Sequence, residues 1–523
     1  MENEHHISHL ANYLINAFDK PETISYDRSI TVNPVVSQVA SWYEKLRNVM
    51  EYGEEEVVLR VTIQRILKRR MLLGGTGEKV ALPLVRELLW AKYFSVGSIP
   101  EATIAKVAHS IDLHIALKNQ VIEKHSMDEG KLNQWIVQLL SVDILYLLNQ
   151  DRRRDVMANF MFQIMKKLIT ITDDKPETRD AQVFIAVRRA FARDDRALLR
   201  YHLFKQYFGQ LTKENIESVS TSFMKGYNEI EREFSYPLKE KIYSYVRQQT
   251  PVFFILQDIL LHEQGKFKTL ISSPEELSQS VIAACEVRYK SIASKVRRAI
   301  IRAVFFILLT KVVFAFVIEG SYEKARYGHI MWGTLIVNTG IPPLLMVVVG
   351  LLIRTPGLDN SRRILSKIQV VLFSDDPKIS QPLLLTKAKQ KQSLMDYIFT
   401  ILWMLAFLLS FGGIWFLLGK FHFNYLSRII FMFFVAIVSF LSYRINQTAN
   451  MYAVESKQSL LTPLIDFIFL PIIQVGRRLT EGVAQINIFL FILDFVFETP
   501  FKGLFAFFEQ WFHYLHQKRE NLE

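Results

Sequence analysis

Four long apolar segments in the second half of the chain constrain its fold more than any other feature. They lie at about residues 300–318, 330–353, 395–418 and 425–443. A helix of roughly 20 apolar residues crosses the hydrocarbon core of a bilayer, so the last three segments are long enough and the first is marginal. Apolar runs of this length satisfy their backbone groups inside a membrane only as helices, and the alternating pattern of a membrane β-barrel is absent. The sequence therefore predicts a polytopic transmembrane domain of four helices over residues 299–444.

The loops around these segments differ in charge. A cluster of arginine and lysine residues precedes the first segment, and the loop at residues 354–394 holds eight basic residues against three acidic ones. Positively charged loops stay on the cytoplasmic side of a membrane. We therefore expect the N-terminus, the 354–394 loop and the C-terminus to be cytoplasmic, in a plasma membrane of the bacterial inner-membrane type.

The residues ahead of the membrane domain have apolar positions at helical spacing and no convincing run of alternating β-branched residues. The predicted fold class is all-α, with a soluble helical N-terminal domain, then the α-helical membrane domain, then interfacial C-terminal helices. We expect a flexible lead-in at residues 1–30 and a cytoplasmic helical domain at residues 31–298. A break near residues 173–177, at an Asp-Asp-Lys-Pro sequence, would divide that domain in two.

The C-terminal region, residues 445–523, contains two shorter apolar stretches at residues 461–473 and 483–497. Their length and their internal polar residues favour amphipathic helices that lie in the membrane interface. The alternative is a hairpin of two further spans that turns at Arg477-Arg478, which positive charge on the outer side disfavours.

A glycine-rich turn at residues 74–79 (GGTGEK) has some features of a phosphate-binding loop. Such a loop follows a strand and has lysine and then Ser or Thr directly after its last glycine. Here a predicted helix precedes the turn, Glu78 separates Gly77 from Lys79, and Val80 takes the place of Ser or Thr. The sequence therefore favours a turn between two helices.

Charge and cysteine content restrict the partners and the compartment. The net charge of +12 suits an anionic inner leaflet, and part of it is explained by the basic flanks, so a nucleic-acid partner is not expected. Cys285 is the only cysteine, which excludes intramolecular disulfides and agrees with a reducing interior. The first residues are acidic and polar, so we expect no cleavable signal peptide.

Lys311 is an ionisable residue inside the first apolar segment. Such a group is costly in a bilayer and is a functional hypothesis by default. Its flexible stem would equally allow the ammonium to reach the outer interface near Glu319.

The second apolar segment is interrupted by four residues: Asn338, Gly340, Pro342 and Pro343. They would either unwind the helix into a binding site, as in transporters, or produce a kink that neighbouring helices repair. The kink is the preferred interpretation, and these four residues with Lys311 form a candidate intramembrane polar site.

A second candidate is a basic stripe, interleaved with aromatic residues, that could bind an anionic partner: Arg189, Arg193, Arg196 and Arg200. These arginines would share a face only if residues 179–208 formed one helix. Asp194 and Asp195 interrupt the stripe and are expected to cap a new helix, so a solvated surface with local ion pairs is the favoured interpretation.

No catalytic constellation is present in the sequence. Histidines near the two termini (His5, His6, His9, His513 and His516) have no accompanying set of carboxylates, so no metal site is predicted. We find no nucleophile with a base and an oxyanion donor, so neither a cofactor nor an enzyme activity is expected.

Three functions stay open from the sequence. The leading hypothesis is a non-enzymatic membrane protein whose large cytoplasmic helical domain docks or scaffolds a protein partner. The alternative is a channel or secondary transporter with its polar site around Lys311 and the interrupted second segment; a homo-oligomer could build its pore. The third is an enzyme that acts on membrane lipid.

Overall fold

The computed structural model describes residues 6–19, 55–71, 75–149, 151–263, 265–386, 394–421, 423–454 and 462–484, together with a few single positions. It is about 81% helical with almost no strand, which confirms the predicted all-α class. The chain forms two compact units. The N-terminal unit comprises His9–Arg247, Ser380–Lys387 and Leu490–Glu523, and the membrane unit comprises Met1–Ser8, Gln248–Ile379 and Ala388–Phe489.

The helices of the N-terminal unit are α1 (His9–Phe18), α2 (Glu55–Met71), α3 (Gly77–Trp90), α4 (Ala102–Lys124), α5 (Glu129–Leu148), α6 (Arg153–Leu168), α7 (Pro176–Val187), α8 (Arg196–Phe208) and α9 (Ile216–Phe234). A π-helical turn, Arg188–Ala192, continues α7. The core of this unit is organised on α5, which is buried on nearly every face, as expected of a helix that is apolar all round. Its Trp135 packs edge-on against Phe204 of α8 and Phe223 of α9, with ring centroids 5.9 and 5.2 Å apart.

Residues 9–18 form a packed helix, so the predicted flexible lead-in is wrong for this part of the chain. Leu14, Ile15 and Phe18 of α1 are buried. Their spacing puts them on one helical face, and α1 packs through it against α6. Most of residues 20–54 lie outside the described residues.

Two three-residue strands join distant parts of the sequence within the N-terminal unit. Strand β1 (Ile169–Ile171) pairs in parallel with β2 (Leu383–Leu385). Thr172 extends the pairing, because its amide donates to the Leu385 carbonyl at 3.0 Å. The segment at residues 354–394 is therefore partly folded into the N-terminal unit, rather than being a simple loop.

The membrane unit contains most of α10 (Lys239–His262), then α11 (Phe267–Ser272), α12 (Pro274–Phe314), α13 (Ser321–Tyr327), α14 (Trp332–Leu352), α15 (Leu358–Phe373), α16 (Leu394–Lys420), α17 (Tyr425–Ala449) and α18 (Thr462–Ala484). A second π-helical turn, Ala315–Gly320, connects α12 to α13 without a break. Four stretches of these helices are long and apolar enough to cross a membrane: Pro274–Tyr327, Trp332–Leu352, Tyr397–Lys420 and Tyr425–Ala449. They coincide with the four predicted segments.

The first apolar segment is the end of a much longer helix. Ser273 caps α12 by accepting a hydrogen bond from a backbone amide, Pro274 takes the first helical position, and two glutamates occupy the first turn. The helix then runs without interruption through residue 298. The two units divide between Arg247 and Gln248, within α10, whereas the predicted domain boundary was at residue 298.

The prolines of α14 do not unwind it. Pro342 and Pro343 lie inside an uninterrupted helix and are buried. Neighbouring helices compensate for prolines in membrane helices, which keeps such a segment helical. The interpretation of the second segment as an unwound binding site therefore has no support in the backbone.

The stretch at residues 461–473 belongs to a longer helix that packs on the bundle. Helix α18 contacts both α16 and α17, and it passes through Arg477-Arg478 without a turn. A hairpin at these arginines is therefore wrong. The interfacial interpretation of α18 has no support either, because the helix is packed against α16 and α17. The stretch at residues 483–497 lies almost wholly outside the described residues.

Glycine at position 77 is explained by helix packing. Its amide donates to Asp112 Oδ1 of α4 at 2.8 Å, and a Cβ at this position would lie 2.1 Å from the carbonyl oxygen of Ala108. The glycine-rich turn thus brings α3 into backbone contact with α4, which agrees with a turn between helices.

Replacement of Gly476 by alanine is expected to weaken the packing of α18 on α17. The new Cβ would lie 2.0 Å from the carbonyl oxygen of Ala436, so the helices would have to move apart. We expect a loss of about 1–3 kcal/mol, measured as a lower thermal unfolding temperature of the full chain in detergent. Gly413→Ala on α16 is the control, since no atom lies within 4 Å of its Cβ. An equal effect of both substitutions would contradict this packing.

Candidate intramembrane polar site

A buried ion pair lies inside the first membrane helix. The Lys311 ammonium donates to Glu319 Oε1 at 2.6 Å, and the two residues are 0% and 1% exposed. Residues eight apart in an α-helix are offset by roughly 80° around its axis. The wider π-helical turn at 315–320 removes much of that offset. The backbone irregularity therefore brings Glu319 onto the face of Lys311.

Two further helices supply hydrogen bonds to the same carboxylate. Glu319 Oε2 accepts from the Asn338 side-chain amide of α14 and, at 3.0 Å, from Ser427 Oγ of α17. The amide nitrogen of Asn338 also lies 3.5 Å from the Ser427 carbonyl oxygen. Glu319 is thus the point at which α12, α14 and α17 converge.

A second buried glutamate lies one turn further along. Glu323 Oε1 accepts from Asn424 Nδ2 at 2.9 Å, and its Oε2 accepts from the Met331 amide at 2.9 Å. Asn424 in turn caps α17, since its Oδ1 accepts from the Ser427 amide at 2.8 Å. Both carboxylates therefore face the N-terminus of α17, whose backbone dipole favours negative charge.

The cluster lies near one end of the bundle. It is adjacent to the connections between α13 and α14 and between α16 and α17. Tyr327, Trp332 and Tyr425 are exposed at the same end. Aromatic residues of this kind are enriched at membrane–water interfaces. The polar cluster thus lies at the same end of the bundle as these exposed aromatic residues, and the basic flanks lie at the other end.

The charges and hydrogen bonds of the cluster do not balance completely. The cluster contains two carboxylates, and the Lys311 ammonium, which pairs with Glu319, also lies 5.2 Å from the ring centroid of Phe434. Asn338 is 0% exposed, and its Oδ1 accepts no hydrogen bond. The cluster therefore holds an acceptor oxygen without a donor beside the Glu319 carboxylate.

The structure unites only part of the predicted membrane site. Lys311 and Asn338 meet at Glu319, whereas Gly340 is exposed and a Cβ there would contact nothing within 4 Å. Pro342 and Pro343 are buried further along α14. Four polar members of the cluster were not predicted: Glu319, Glu323, Asn424 and Ser427. The available signal was the pair of glutamates four residues apart directly after the first apolar segment.

The predicted basic stripe is not a single surface. The chain has a left-handed residue at Arg193 (φ 53°), and a new helix begins at Arg196 with Asp195 as its cap, as expected from the sequence. Arg189 pairs with Glu240, while Arg196 and Arg200 both pair with Glu231. Local ion pairs therefore occupy Arg189, Arg196 and Arg200.

A neighbouring arginine, not predicted, anchors a buried network. Arg188 contacts Asp194 and Asp155, each at 2.5 Å. Burial raises the pKa of Asp194 to about 6 in spite of Arg188. Burial also lowers the pKa of His202, whose Nε2 lies 2.9 Å from Tyr146 Oη and 3.8 Å from Asp194. Perturbed groups of this kind occur in functional sites and in structural ion-pair networks alike.

Neither similarity to known proteins nor a set of metal ligands indicates what the polar cluster around Glu319 or the network around Arg188 does. No family model, curated protein or solved structure matches this chain. Within the described ranges, no group of three or more His, Cys, Asp or Glu side chains is arranged to hold a metal ion. The geometry of the polar cluster around Glu319 is therefore the feature from which a function can be inferred.

Lys311→Met is expected to destabilise the membrane unit by about 3–5 kcal/mol, because it leaves Glu319 buried without its counter-ion. The double variant Lys311→Met/Glu319→Met should recover part of that loss, since both charges are removed, although Asn338 and Ser427 lose their acceptor. Thermal unfolding of the full chain in detergent measures both effects. Lys290→Met is the control, because its ion pair with Glu286 on the same helix is exposed and contributes about 1 kcal/mol or less. A double variant no more stable than Lys311→Met would contradict the pairing.

His202→Gln is expected to change the pH dependence of stability in the N-terminal unit. The folded state keeps His202 neutral, so its contribution is lost as the pH falls below about 6.5, the unfolded value. Asp194 acts in the opposite sense, because it takes up a proton near pH 6 in the folded state and only near pH 4 when unfolded. In the wild type, His202 and Asp194 therefore change the free energy of unfolding in opposite directions as the pH falls.

Removal of the histidine should therefore make this unit relatively more stable on acidification, by up to about 1.4 kcal/mol per pH unit below pH 6. Urea unfolding of the full chain, read by hydrogen exchange of α8 peptides in pulses at one common pH, measures the difference. If the free energy of unfolding changed equally with pH in the wild type and in His202→Gln, the low pKa of His202 would be contradicted.

Proposed function

We propose that this chain is a multi-pass membrane protein that moves a small cation, the proton being the simplest, across the bilayer by way of the Glu319 carboxylate. The observation that carries this proposal is the buried Lys311–Glu319 pair, with hydrogen bonds to Glu319 from two other membrane helices. Ionisable residues that face the interior of a membrane bundle mark ion and proton pathways.

The energetic cost of the cluster supports a role beyond packing. Desolvation of buried charges costs several kcal/mol per ion, and apolar residues of similar volume often hold a fold together as well or better. Lys311, Glu319 and Glu323 are all at most 1% exposed. Three charged groups at such depth are a poor way to join helices, but they provide a polar site in an apolar surrounding.

The shape of the backbone at the site supports movement of the carboxylate. Glu319 lies in a π-helical turn, an irregularity that is frequent at functional sites. Rearrangement of that turn to α-helical geometry would rotate Glu319 away from Lys311. In the proposed mechanism, the Glu319 carboxylate contacts Lys311 in the π-helical geometry and binds the cation after the rotation.

The proposed topology has the N-terminal unit and residues 354–394 on the cytoplasmic side. The basic flanks support it. The pairing of β1 with β2 is independent support, because strands that pair must lie on the same side of the bilayer. Between β1 and β2 the chain has two spans, one through α12 and α13 and one through α14. An even number of spans returns the chain to the same side of the bilayer, as the pairing requires.

Docking of a protein partner is the second candidate function. A cleft of about 650 Å³ in the N-terminal unit favours it. Aromatic residues contribute to its lining, and Tyr13 at its edge is 74% exposed. The residues that line the cleft include Leu10, Tyr13, Phe160, Phe162 and Phe184. Asn159, Gln163, Asp180 and Gln206 also line the cleft, and a mixed surface with exposed aromatic residues is typical of protein interfaces.

Flux measurements on the purified full chain in liposomes test cation movement. An imposed membrane potential should drive cation or proton entry, read by ion- and pH-sensitive dyes inside the vesicles. Glu319→Gln should reduce the rate about tenfold or more, because a charge-assisted contact contributes about 1.5–3 kcal/mol.

Glu286→Gln is the matched control, since it makes the same change at an exposed position of the same helix. Both variants are compared at equal thermal stability and equal reconstitution. Flux that is absent from the wild type, or that survives Glu319→Gln unchanged, contradicts the proposal and makes docking the leading function.

A further inference from the structure

A second cleft of the N-terminal unit has a basic lining. Its volume is about 810 Å³, and it is formed by α2, α4, α5 and the glycine-rich turn before α3. On α5 the lining residues are 130, 133, 134 and 137, which follow one helical face, and α2 and α4 each contribute two residues three positions apart. A cleft of this volume can hold a small organic molecule.

Two lysines give this cleft its charge. Lys68 of α2 and Lys118 of α4 both line it, and none of the lining residues that the structure describes is acidic. Within the described part of the chain, neither ammonium has an ion pair or a hydrogen bond. Arg69 and Arg70, which follow Lys68 directly, both pair with Glu87 instead. The cleft therefore holds two positive charges that the lining does not neutralise.

The glycine-rich turn forms one wall of the cleft. Gly75 lines it, and a Cβ at this position would lie 2.5 Å from Val80 Cγ2 and 3.1 Å from the Arg70 carbonyl oxygen. Glycine thus allows the turn to pass close to the end of α2. Thr76 precedes α3, but its side chain makes no capping hydrogen bond, so its hydroxyl is available to a ligand.

The neutral groups of the lining indicate what else the ligand contains. The Thr76 hydroxyl and the side-chain amides of Asn133 and Gln134 can each donate and accept hydrogen bonds, as the edge of a nucleobase requires. Met71 and Ile115 add apolar surface, and a methionine sulfur contacts aromatic rings favourably. A phosphate monoester carries a charge of about −1.5 to −2 at pH 7, which matches two ammonium groups.

We propose that this cleft binds a mononucleotide, with its phosphate at Lys68 and Lys118 and its base against Met71, Asn133 and Gln134. Lysine binds phosphate as a point charge, and its flexible stem lets ammonium groups on two helices reach one phosphate. The site differs from a phosphate-binding loop, since side-chain ammonium groups hold the phosphate instead of the backbone amides of the turn. It is independent of the cation movement proposed above.

Equilibrium dialysis of the purified full chain in detergent tests this binding. The probes are the adenine, guanine, cytosine and uracil nucleoside monophosphates, with inorganic phosphate and the four nucleosides for comparison. At least one monophosphate should bind at one equivalent per chain, more tightly than inorganic phosphate and than its own nucleoside. Its affinity should fall as salt is added, because salt screens the attraction between the phosphate and the two lysines.

Lys68→Gln and Lys118→Gln should each weaken the binding about tenfold or more, as expected for the loss of a charge-assisted contact. Asn133→Leu should weaken the binding of the nucleotide and leave that of inorganic phosphate unchanged, because it removes only the amide. Lys106→Gln is the matched control, since Lys106 is an exposed lysine of α4 outside the cleft. The variants are compared at equal thermal stability.

A measurement on the wild type alone keeps the test decisive if a variant does not fold. Lysines of the full chain are acetylated with acetic anhydride and quantified by mass spectrometry, with and without the nucleotide. Bound nucleotide should slow the acetylation of Lys68 and Lys118 and leave that of Lys106 unchanged.

Four results would overturn the proposal. One is the absence of mononucleotide binding at millimolar concentrations. Another is binding that both lysine variants retain unchanged, or that leaves the acetylation of Lys68 and Lys118 unaltered. Equally tight binding of inorganic phosphate would exclude recognition of the base. Tighter binding of an acidic peptide or of a single-stranded RNA than of any mononucleotide would assign the cleft to a macromolecule.

Discussion

The need to compensate the buried charges of Lys311 and Glu319 is the constraint on which the arrangement of the membrane unit depends. A charge at this depth is tolerated only with a partner and with hydrogen bonds to the remaining atoms. Lys311 supplies the partner, while Asn338 and Ser427 supply the bonds from two other helices. Loss of any one of them leaves a polar group without compensation in an apolar surrounding. The requirement for compensation thus holds α12, α14 and α17 in one register.

The same cluster connects helix packing to a possible mechanism. Asn424 and Ser427 begin α17, so the site is formed where backbone amides are already unsatisfied and favour anions. The π-helical turn gives Glu319 a position that a regular helix would not provide. Other helices of the unit meet in close apolar contact, as where Gly476 of α18 lies against the Ala436 carbonyl. The polar cluster at one end of the bundle thus adds to tight helix packing at other positions.

Much of the fold followed from local sequence, but the site followed only in part. Continuous apolar length predicted the four spans, and apolar residues at helical spacing predicted the helical class of the N-terminal unit. Lys311 and Asn338 were identified because polar residues are conspicuous inside apolar segments. Glu319 and Glu323 were not identified as site residues, because a chain position just after an apolar run gives no sign that the helix continues. Asn424 and Ser427 carry no signal at all until α17 is brought beside Glu319.

The sequence by itself determined the helical class, the number of strongly apolar spans and the uneven charge that predicts their orientation, since hydropathy and charge act locally and can be summed along the chain. Tertiary structure alone decided which polar groups meet. It brought Lys311, Glu319, Asn338 and Ser427 together from three helices, and it separated Arg189, Arg196 and Arg200 into local ion pairs. The physical reason is that a buried charge is stabilised by atoms within a few ångströms in space. The number of residues between two groups in the sequence, which reaches 116 between Lys311 and Ser427, does not indicate how close they are in space.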